Sequence, residues 1–589
     1  MRLFKNKILL ALGLIAAIAG CKKSEKFPVN HVSIQYVFDS RDSAGTNAQK
    51  YLYNIYSVLK VGYNRVGGNF LDAASDDGVS SATGSSQVTT LATGAYSSVN
   101  VPANEDVWSV IATSGNNNDT TATASYWSGI RYANEFVNNI GVVPVKGSLP
   151  NGVGTRWVWQ SEARFLRAYF YFELVKRYGG VPLLGNNVYT STNNLLLSRN
   201  TFADCIKYIV NECNAIKDSM ITVQNYIPSQ DNFRATKGAA LALKARVLLY
   251  AASPLFNDPN GANSNPYTGY TSYDPSRWVQ AAQAAKDVMN LNSYSLYPSF
   301  KDLFVTQNVS GNNELIFIRT NGTPGTSVEG NDAPIGYGSA IGGGIVSPTQ
   351  DLVNAFPMIN GKAITDGTSG YDPANPYRDR DPRFYATILY NGATWLGTSL
   401  QTYNGGASRP LNGQTETKTG YYLNKFMSPL DSTSSKFVNH YQDWVIFRYA
   451  EILLDYAEAQ NEVGGPTPDV LSQVYALRAR AGIPAGTDGT YGLGVIADKT
   501  TMRAVIQNER RIEMAFEEQR YFDIRRWKIA ETVMNQPRMG VSINNSNGNL
   551  TYNYVPVLTT KFVAPKMYLY PIPYAQVVED PNLKQNPGW

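Results

Sequence analysis

Near its C-terminal end the chain reads Asn508-Glu-Arg-Arg-Ile-Glu-Met-Ala-Phe-Glu-Glu-Gln-Arg-Tyr-Phe-Asp-Ile-Arg-Arg-Trp527, with charged residues threaded through an apolar helical pattern. Val505, Ile512 and Phe516 fall on one stripe at helical spacing, which predicts a single buried helix. A simple surface helix keeps its charges on the opposite side, whereas here the charges crowd the apolar stripe. This helix is therefore expected to bury charged side chains.

Buried charges need partners, because an unpaired charge in the interior costs several kcal/mol. A catalytic interpretation is also open, since paired carboxylates and arginines occur in active sites. Arginine keeps its proton, however, and the run contains no His, Cys or Ser nucleophile. We therefore predict a structural ion-pair network that includes Glu509, Arg511, Glu513, Arg520, Asp523 and Arg526.

Further helices are predicted upstream of this run. Residues Gln160–Leu174 are apolar nearly all round, as in a helix packed between neighbours, and Tyr178-Gly-Gly-Val-Pro182 ends that helix. Thr201-Phe-Ala-Asp204 is a capping box that opens the next helix. Thr236–Ala252 is rich in small residues, which allow helices to approach closely. These segments predict stacked helical hairpins without a strict 34-residue period.

Composition divides residues 51–589 into three parts. Residues 51–256 and 441–589 carry the helical patterns, whereas residues 257–440 are dense in Gly, Pro, Asn and Tyr and predict a loop-rich region. The predicted fold class is mainly α, with tetratricopeptide-like helical hairpins and an irregular half.

The N-terminus is a targeting segment. Residues 1–20 combine a basic start with a short apolar run that ends in Ile18-Ala-Gly-Cys21, similar to a lipoprotein cleavage box. We expect Cys21 to carry lipid and residues 21–50 to form the attachment site and tether. An ordinary secretory signal with a chance cysteine is the alternative. Multiple acylation would anchor the protein firmly, since each buried CH₂ contributes about 0.8 kcal/mol.

Net charge argues against nucleic-acid binding. The formal charge of the 589 residues is +5, and removal of residues 1–20 takes away three positive charges and leaves +2. Proteins that bind nucleic acids need clustered Lys and Arg to displace counterions, and no long basic run follows the signal.

Cysteine and histidine are too scarce for most metal sites. Cys205 and Cys213 lie about 12 Å apart if they share one helix, which is beyond disulfide reach. His31 and His440 are the only histidines, so no HExxH or Cys/His zinc set can be built. Asp258-Pro-Asn-Gly-Ala-Asn263 weakly resembles a calcium loop, but its Gly is misplaced and the closing Glu is missing. We expect no metal and no cofactor.

Loop aromatics next to amide or carboxylate groups are the candidate ligand-binding residues. Trp108 stands in a polar setting within a long Ser/Thr/Gly/Asn-rich stretch, and such loops are often functional. The CH face of a sugar stacks on an aromatic ring while its hydroxyls form hydrogen bonds. Trp108 could instead pin the loop to the protein body. The predicted ligand-binding residues are Asp76, Asp77, Trp108, Asn116, Tyr337 and Trp395.

The whole mature chain resembles the SusD/RagB family of outer-membrane nutrient-binding lipoproteins. The resemblance rests on six ordered blocks: Glu162–Tyr169 with Gly179-Gly-Val-Pro-Leu183, Lys237–Ala242 through Phe256, Tyr377-Arg-Asp-Arg-Asp-Pro-Arg-Phe384, Asn508–Trp527, Tyr568-Leu-Tyr-Pro-Ile-Pro573 and Asn582–Trp589.

This resemblance implies a non-catalytic lipoprotein, anchored and exposed at the cell outer membrane, that captures a glycan for a SusC-like TonB-dependent transporter. Two alternatives remain open. One is a tethered glycoside hydrolase that uses two carboxylates, with Asp76 and Asp77 as its candidates. The other is a RagB-like lipoprotein that binds peptides or only protein.

Overall fold

Helices make up most of the ordered secondary structure. The computed structural model describes residues 33–82, 84, 86–109, 125–189, 196–223, 231, 233–261, 264–305, 311–320, 328–336, 343–413, 415–427 and 443–589. The helices are α1 (Ile34–Val37), α2 (Thr46–Ser57), α3 (Gln87–Ala92), α4 (Tyr126–Asn139), α5 (Thr155–Tyr178), α6 (Phe202–Ile216), α7 (Lys237–Ala252), α8 (Ser276–Met289), α9 (Val328–Asp332), α10 (Gln350–Ala355), α11 (Pro382–Thr387), α12 (Tyr449–Gly464), α13 (Pro468–Ala481), α14 (Lys499–Glu513), α15 (Arg520–Arg526), α16 (Ala530–Val533) and α17 (Tyr574–Glu579).

The long helices form one continuous stack. Helix α4 packs on α5, α5 on α6, α6 on α7 and α7 on α8, and then α8 packs on α12, which also contacts α13 and α14. The chain leaves the stack after α8 and returns to it at α12. The predicted fold class, mainly α with stacked helical hairpins and a loop-rich half, is confirmed.

Helix α5 shows how sequence determines this packing. Its side chains are buried nearly all round, as its apolar pattern predicted, because α4 and α6 flank it. Gly179 ends the helix with a positive φ of 77°, and its N–H donates to the Val175 carbonyl at 2.9 Å. A Cβ at Gly179 would lie 2.2 Å from the Tyr267 carbonyl oxygen, so this turn has no room for a side chain.

Side-chain caps fix the N-terminal ends of the next two helices, α6 and α7. The Thr201 hydroxyl accepts a hydrogen bond from the Asp204 N–H at 3.1 Å, as the capping box predicted. Thr236 caps α7 in the same way, through the N–H of Ala239. The thiols of Cys205 and Cys213 are buried and free, in agreement with their predicted separation.

Short strands connect the distant parts of the chain. They are β1 (Gly78–Ser80), β2 (Leu315–Arg319), β3 (Val346–Pro348), β4 (Ile388–Leu389), β5 (Thr394–Trp395), β6 (Thr398–Ser399), β7 (Tyr422–Leu423), β8 (Trp444–Arg448), β9 (Arg538–Ser546) and β10 (Asn549–Leu558). All pair antiparallel in two-stranded sheets: β1 with β3, β2 with β8, β4 with β7, β5 with β6, and β9 with β10.

The prediction of one helix through Asn508–Trp527 is wrong. Helix α14 ends at Glu513 and α15 begins at Arg520, and between them Phe516 and Glu518 have positive φ angles of 61° and 58°. Phe516 is fully buried and meets Phe70 edge-on, with 5.9 Å between ring centroids. Tertiary packing of this aromatic ring therefore overrides the helical propensity of the run.

Within the described ranges, no helix combines the length and the apolar composition needed to cross a bilayer.

The Gly179 turn can be tested by substitution. Gly179→Ala should lower the free energy of unfolding by about 3 kcal/mol or more, because the new Cβ collides with backbone and the φ angle is strained. Gly185→Ala is the control, since Gly185 also has a positive φ, 57°, but has nothing within 4 Å of its Cβ position. Urea denaturation of both variants measures the difference, and equal losses would contradict the collision.

Candidate functional site

The Arg/Glu-rich run lies at the centre of a buried ion-pair network. The Arg448 side chain places Nη1 2.8 Å from carboxylate oxygens of Glu314 and Glu513, and Nε 2.8 Å from Glu517. Arg383 Nη1 lies 3.0 Å from Glu513. All five side chains are buried. Each charge is therefore held by opposite charges on other elements, which is the requirement for stable burial.

The break after α14 is built into this network. A helix end leaves its last carbonyl groups without helical partners. Here Arg448 donates to the Glu513 carbonyl at 2.8 Å, and Lys425 Nζ donates to the Ala515 carbonyl at 2.8 Å and to the Glu517 carboxylate at 2.6 Å. The two cationic side chains thus satisfy the open carbonyls and interact favourably with the negative end of the helix dipole.

A second group of pairs holds α14 against α12 and α15. Arg510 Nη1 lies 2.6 Å from Asp455, and its Nε lies 2.9 Å from Asp523. Arg526 Nε lies 2.7 Å from the other oxygen of Asp523 and also pairs with Glu458. Asp523 therefore bridges two helices.

Proton affinities in the network follow from its geometry. Burial by itself would raise the pKa of Glu513, but Arg480, Arg448 and Arg383 outweigh it and leave the pKa well below its ordinary value. The stability that Glu513 contributes is therefore present above its unfolded-state pKa and is lost as the pH falls through the folded-state value. Burial also lowers the pKa of Lys425 to about 8, although Glu517 opposes that shift.

Asp76 and Asp77 form a third group of pairs with two arginines of the same run. Arg520 holds Asp76 in a two-bond pair, with Nε and Nη2 each 2.8 Å from a carboxylate oxygen, and Arg511 Nε lies 2.7 Å from Asp77. Both aspartates are buried, and the arginines keep the pKa of Asp76 low although burial would raise it. The assignment of Asp76 and Asp77 as ligand-binding or catalytic residues is corrected here, because a substrate cannot reach carboxylates enclosed in this way.

The two predicted tryptophans also lie inside the protein. Trp108 is 5% exposed and meets Trp127 and Tyr178 edge-on, with centroid separations of 5.2 and 5.1 Å. Trp395, in the short β5–β6 hairpin, is 2% exposed. Neither ring offers a face to a ligand, so the structure corrects both assignments to core packing. For Trp108 this is the alternative in which the ring pins the loop.

The remaining predicted residues lie outside the described part of the chain. They are Cys21, Asn116 and Tyr337. Among the described residues, no cluster of His, Cys, Asp and Glu is arranged to hold a metal ion. Asp258, the first residue of the weak calcium-like loop, instead accepts a hydrogen bond from Lys528 Nζ at 2.9 Å.

An aromatic cleft opens beside the N-terminal end of the helical stack. It encloses about 220 Å³ between the C-terminal half of α2 and the end of β2. Its rings are Tyr53, Tyr56 and Phe233, and Phe233 stands edge-on to both tyrosines, with centroid separations of 5.3 and 5.8 Å. Tyr53 is 37% exposed. The guanidinium of Arg319 and the polar groups of Ser57 and Thr320 complete the lining.

This combination suits an uncharged, hydroxyl-rich ligand. Aromatic walls bury the CH face of a sugar ring, and a few polar groups set its orientation. The sequence contains a signal that could have identified Tyr53. Leu52, Ile55 and Tyr56 form the buried stripe of α2, and Tyr53 lies off that stripe. Phe233 and Arg319 carry no comparable local signal, because only the tertiary fold brings them to α2.

Two protein-family profiles match the chain. The SusD family matches residues 313–589, and a family described as "Starch-binding associating with outer membrane" matches residues 63–249. The SusD-like protein P2 of Formosa agariphila is 24% identical over 467 residues, which span 78% of this chain and 78% of that protein. A SusD-like protein of Bacteroides ovatus is 24% identical over 497 residues, with coverage of 79% and 80%.

Solved structures agree with this fold. A SusD-like protein from Bacteroides fragilis superposes with a TM-score of 0.73 at 26% identity and covers 95% of this chain and 100% of its own. A SusD-like carbohydrate binding protein from the same species gives 0.71 at 24%, with coverage of 92% and 99%. A laminarin binding SusD-like protein gives 0.62 at 20%, with coverage of 93% and 100%.

The ion-pair network predicts a large stability difference between two arginine substitutions. Arg448→Met should cost about 3–5 kcal/mol, because it leaves Glu314, Glu513 and Glu517 buried with fewer partners. Arg131→Met should cost at most about 1 kcal/mol, because its side chain is 49% exposed and pairs with Glu135 at the surface. Urea denaturation followed by tryptophan fluorescence measures both losses, and a loss for Arg448→Met no larger than that of the control would contradict the buried network.

Proposed function

The chain belongs to the SusD/RagB family, and on that premise we propose that it is a non-catalytic glycan-binding lipoprotein of the outer membrane. It captures an oligosaccharide at the cell surface and delivers it to a SusC-like TonB-dependent transporter. Two solved relatives are named as carbohydrate binding and laminarin binding, which supports a glycan as the ligand.

One structural observation carries the non-catalytic part of this proposal. A glycosidase of the usual kind needs two carboxyl groups about 5–9.5 Å apart on either side of the scissile bond. Asp76 and Asp77, the pair that the sequence offered, are enclosed and paired with arginines. Their charges stabilise the fold, so the hydrolase hypothesis is left without the two residues on which it rested.

The cleft at Tyr53 is the proposed capture site. Its exposed ring supplies a stacking surface, Phe233 holds that ring edge-on, and Arg319 adds hydrogen-bond donors at the rim. Its volume of about 220 Å³ lies below the roughly 300–1,000 Å³ of pockets that bury a whole drug-sized ligand. We therefore infer that the cleft holds a short segment of a glycan while the rest of the ligand remains in solvent.

Glycan binding can be measured by calorimetric titration of the mature, unlipidated protein against plant, fungal and host oligosaccharides. Saturable binding without released sugar is expected. Tyr53→Ala should weaken binding about tenfold, because it removes the stacking ring, whereas Tyr36→Ala should leave binding unchanged, since Tyr36 is 59% exposed and does not line the cleft.

Other outcomes of the same titration have distinct meanings. Chromatography of each mixture would reveal product, and hydrolysis would replace the capture role with the enzymatic alternative. If no glycan binds but peptides do, the RagB-like alternative is favoured. Unchanged affinity of Tyr53→Ala for a bound glycan would remove the cleft from the proposal but keep the capture role.

Lipid attachment at Cys21 is the proposed anchor. In cells, Cys21→Ser should shift the protein from the outer-membrane fraction to the soluble fraction and abolish its labelling with radioactive palmitate. Cys213→Ala, which alters a buried thiol, should leave both properties unchanged. Retention of Cys21→Ser in the membrane fraction would show that another part of the chain holds the protein there.

A further inference from the structure

The β9–β10 hairpin is long, and its outer strand, β10, is largely exposed and carries no charged side chain. From Met539 to Thr560 the sequence contains no Asp, Glu, Lys or Arg. The turn at Asn547-Gly548, where φ is 55° and 93°, joins two strands of nine and ten residues. Side-chain amides cover the surface of the hairpin, and the exposed asparagines are Asn544, Asn545, Asn547, Asn549 and Asn553.

The protein body holds this hairpin firmly along one strand. Val541 and Ile543 of β9 are fully buried. The Val541 N–H donates to the Thr419 carbonyl, and the Asn404 N–H donates to the Ile543 carbonyl, each at 2.8 Å. The Asn404 side chain also donates to Ser542 at 2.9 Å. The hairpin is therefore a fixed platform.

Tyrosines line the outer strand of the hairpin. Tyr552 and Tyr554 pair with Ile543 and Val541 in the register, so both side chains lie on the same face. Tyr552 meets Tyr377 edge-on, with centroids 5.8 Å apart. Tyr554 is 45% exposed and lies beside Tyr371. Tyr371, Tyr552 and Tyr554 together form what we call the tyrosine strip.

The rings of the strip are held in position from below. The Arg380 guanidinium lies 5.7 Å from the Tyr371 centroid, and Arg380 itself is buried and donates to the carbonyls of Val353 and Phe356 at 2.6 and 2.7 Å. Tyr377 supports Tyr552 and lies against Tyr390 in a tilted arrangement, with ring centroids 4.6 Å apart. Rigid tyrosines supply contact area at a low entropic cost, which is the property of a recognition surface.

Strand β10 is an exposed, uncharged edge strand, and such a strand is unusual. Proteins usually protect such edges with charged residues, because an open edge promotes aggregation. Among the described strands, β10 pairs only with β9, and its only protective features are Pro556 and the irregular register beside it. Pro556 removes one N–H donor and so disfavours pairing with a strand of a second protein. Tyrosine rings on a strand without charged side chains instead favour a neutral, hydroxyl-rich ligand.

We propose that the tyrosine strip is a second carbohydrate-binding surface, which holds an extended segment of a neutral polysaccharide. The inference rests on the proposed glycan-binding function and adds a site that shares no residue with the cleft at Tyr53. Two weak sites on one protein bind a long polymer more tightly than either site alone, because the second contact is intramolecular. A short oligosaccharide cannot use both sites.

The test compares one polysaccharide with an oligosaccharide of the same linkage, chosen from the glycans that the wild-type protein binds. Affinity electrophoresis measures binding of the polymer, and calorimetry measures binding of the oligosaccharide. The double variant Tyr371→Ala/Tyr554→Ala should bind the polymer about tenfold more weakly, because it loses the avidity of the second site. Its affinity for the oligosaccharide should not change, since the cleft is intact.

Controls separate loss of binding from loss of folding. Tyr273→Ala removes a 41% exposed tyrosine from another surface and should leave both affinities unchanged. Tyr554→Phe keeps the ring and should bind the polymer as the wild type does, even if the double variant unfolds; its loss of polymer binding would count against stacking.

Three results would overturn the proposal. They are wild-type polymer affinity in a folded double variant, equal losses for polymer and oligosaccharide, and binding of a purified transporter, but not of polymer, that depends on the strip. Failure of the proposed function is distinguishable, because the wild-type protein would then bind no glycan of either length.

Discussion

Arg448 is the last residue of strand β8, and its guanidinium also binds the open carbonyl at the C-terminal end of helix α14. It pairs with Glu314 before β2, with Glu513 at the end of α14, and with Glu517 in the helix break. One side chain thus joins the helical stack to the strands that enter the loop-rich half. This contact stabilises the packing of the two halves, because its loss would leave three buried carboxylates with fewer positively charged partners.

The burial of these charges also bears on the function. A catalytic pair of carboxylates needs access to substrate and pKa values matched to proton transfer. Asp76 and Glu513 instead have pKa values held low by arginines in a sealed interior. These buried ion pairs therefore stabilise the fold. The candidate recognition surfaces are mostly neutral: they present tyrosine rings, hydroxyl groups and side-chain amides, to which the cleft adds the guanidinium of Arg319.

The candidate surfaces differ in shape, and this difference has consequences. The cleft at Tyr53 is concave and small, so it recognises a short segment of a ligand. The tyrosine strip is a row of partly exposed rings on a fixed hairpin, so it gains area along an extended chain. In the proposed capture role the two surfaces act together, because a polymer can stay bound on the strip while a segment occupies the cleft.

The sequence by itself determined the helical stack and the need for ion pairs. Apolar periodicity, the cap at Thr201 and the Gly179 turn are local features, and local features act through propensity and hydrogen bonds between near neighbours. It predicted one helix through Asn508–Trp527 and exposed rings at Trp108 and Trp395, and these expectations were wrong. Tertiary contacts decided them: Phe70 receives Phe516 at the helix break, and Tyr178 encloses Trp108. The cleft arises in the same way, since Tyr53, Phe233 and Arg319 meet only after folding. Burial of an aromatic ring depends on residues far away in the chain, and no local pattern encodes them.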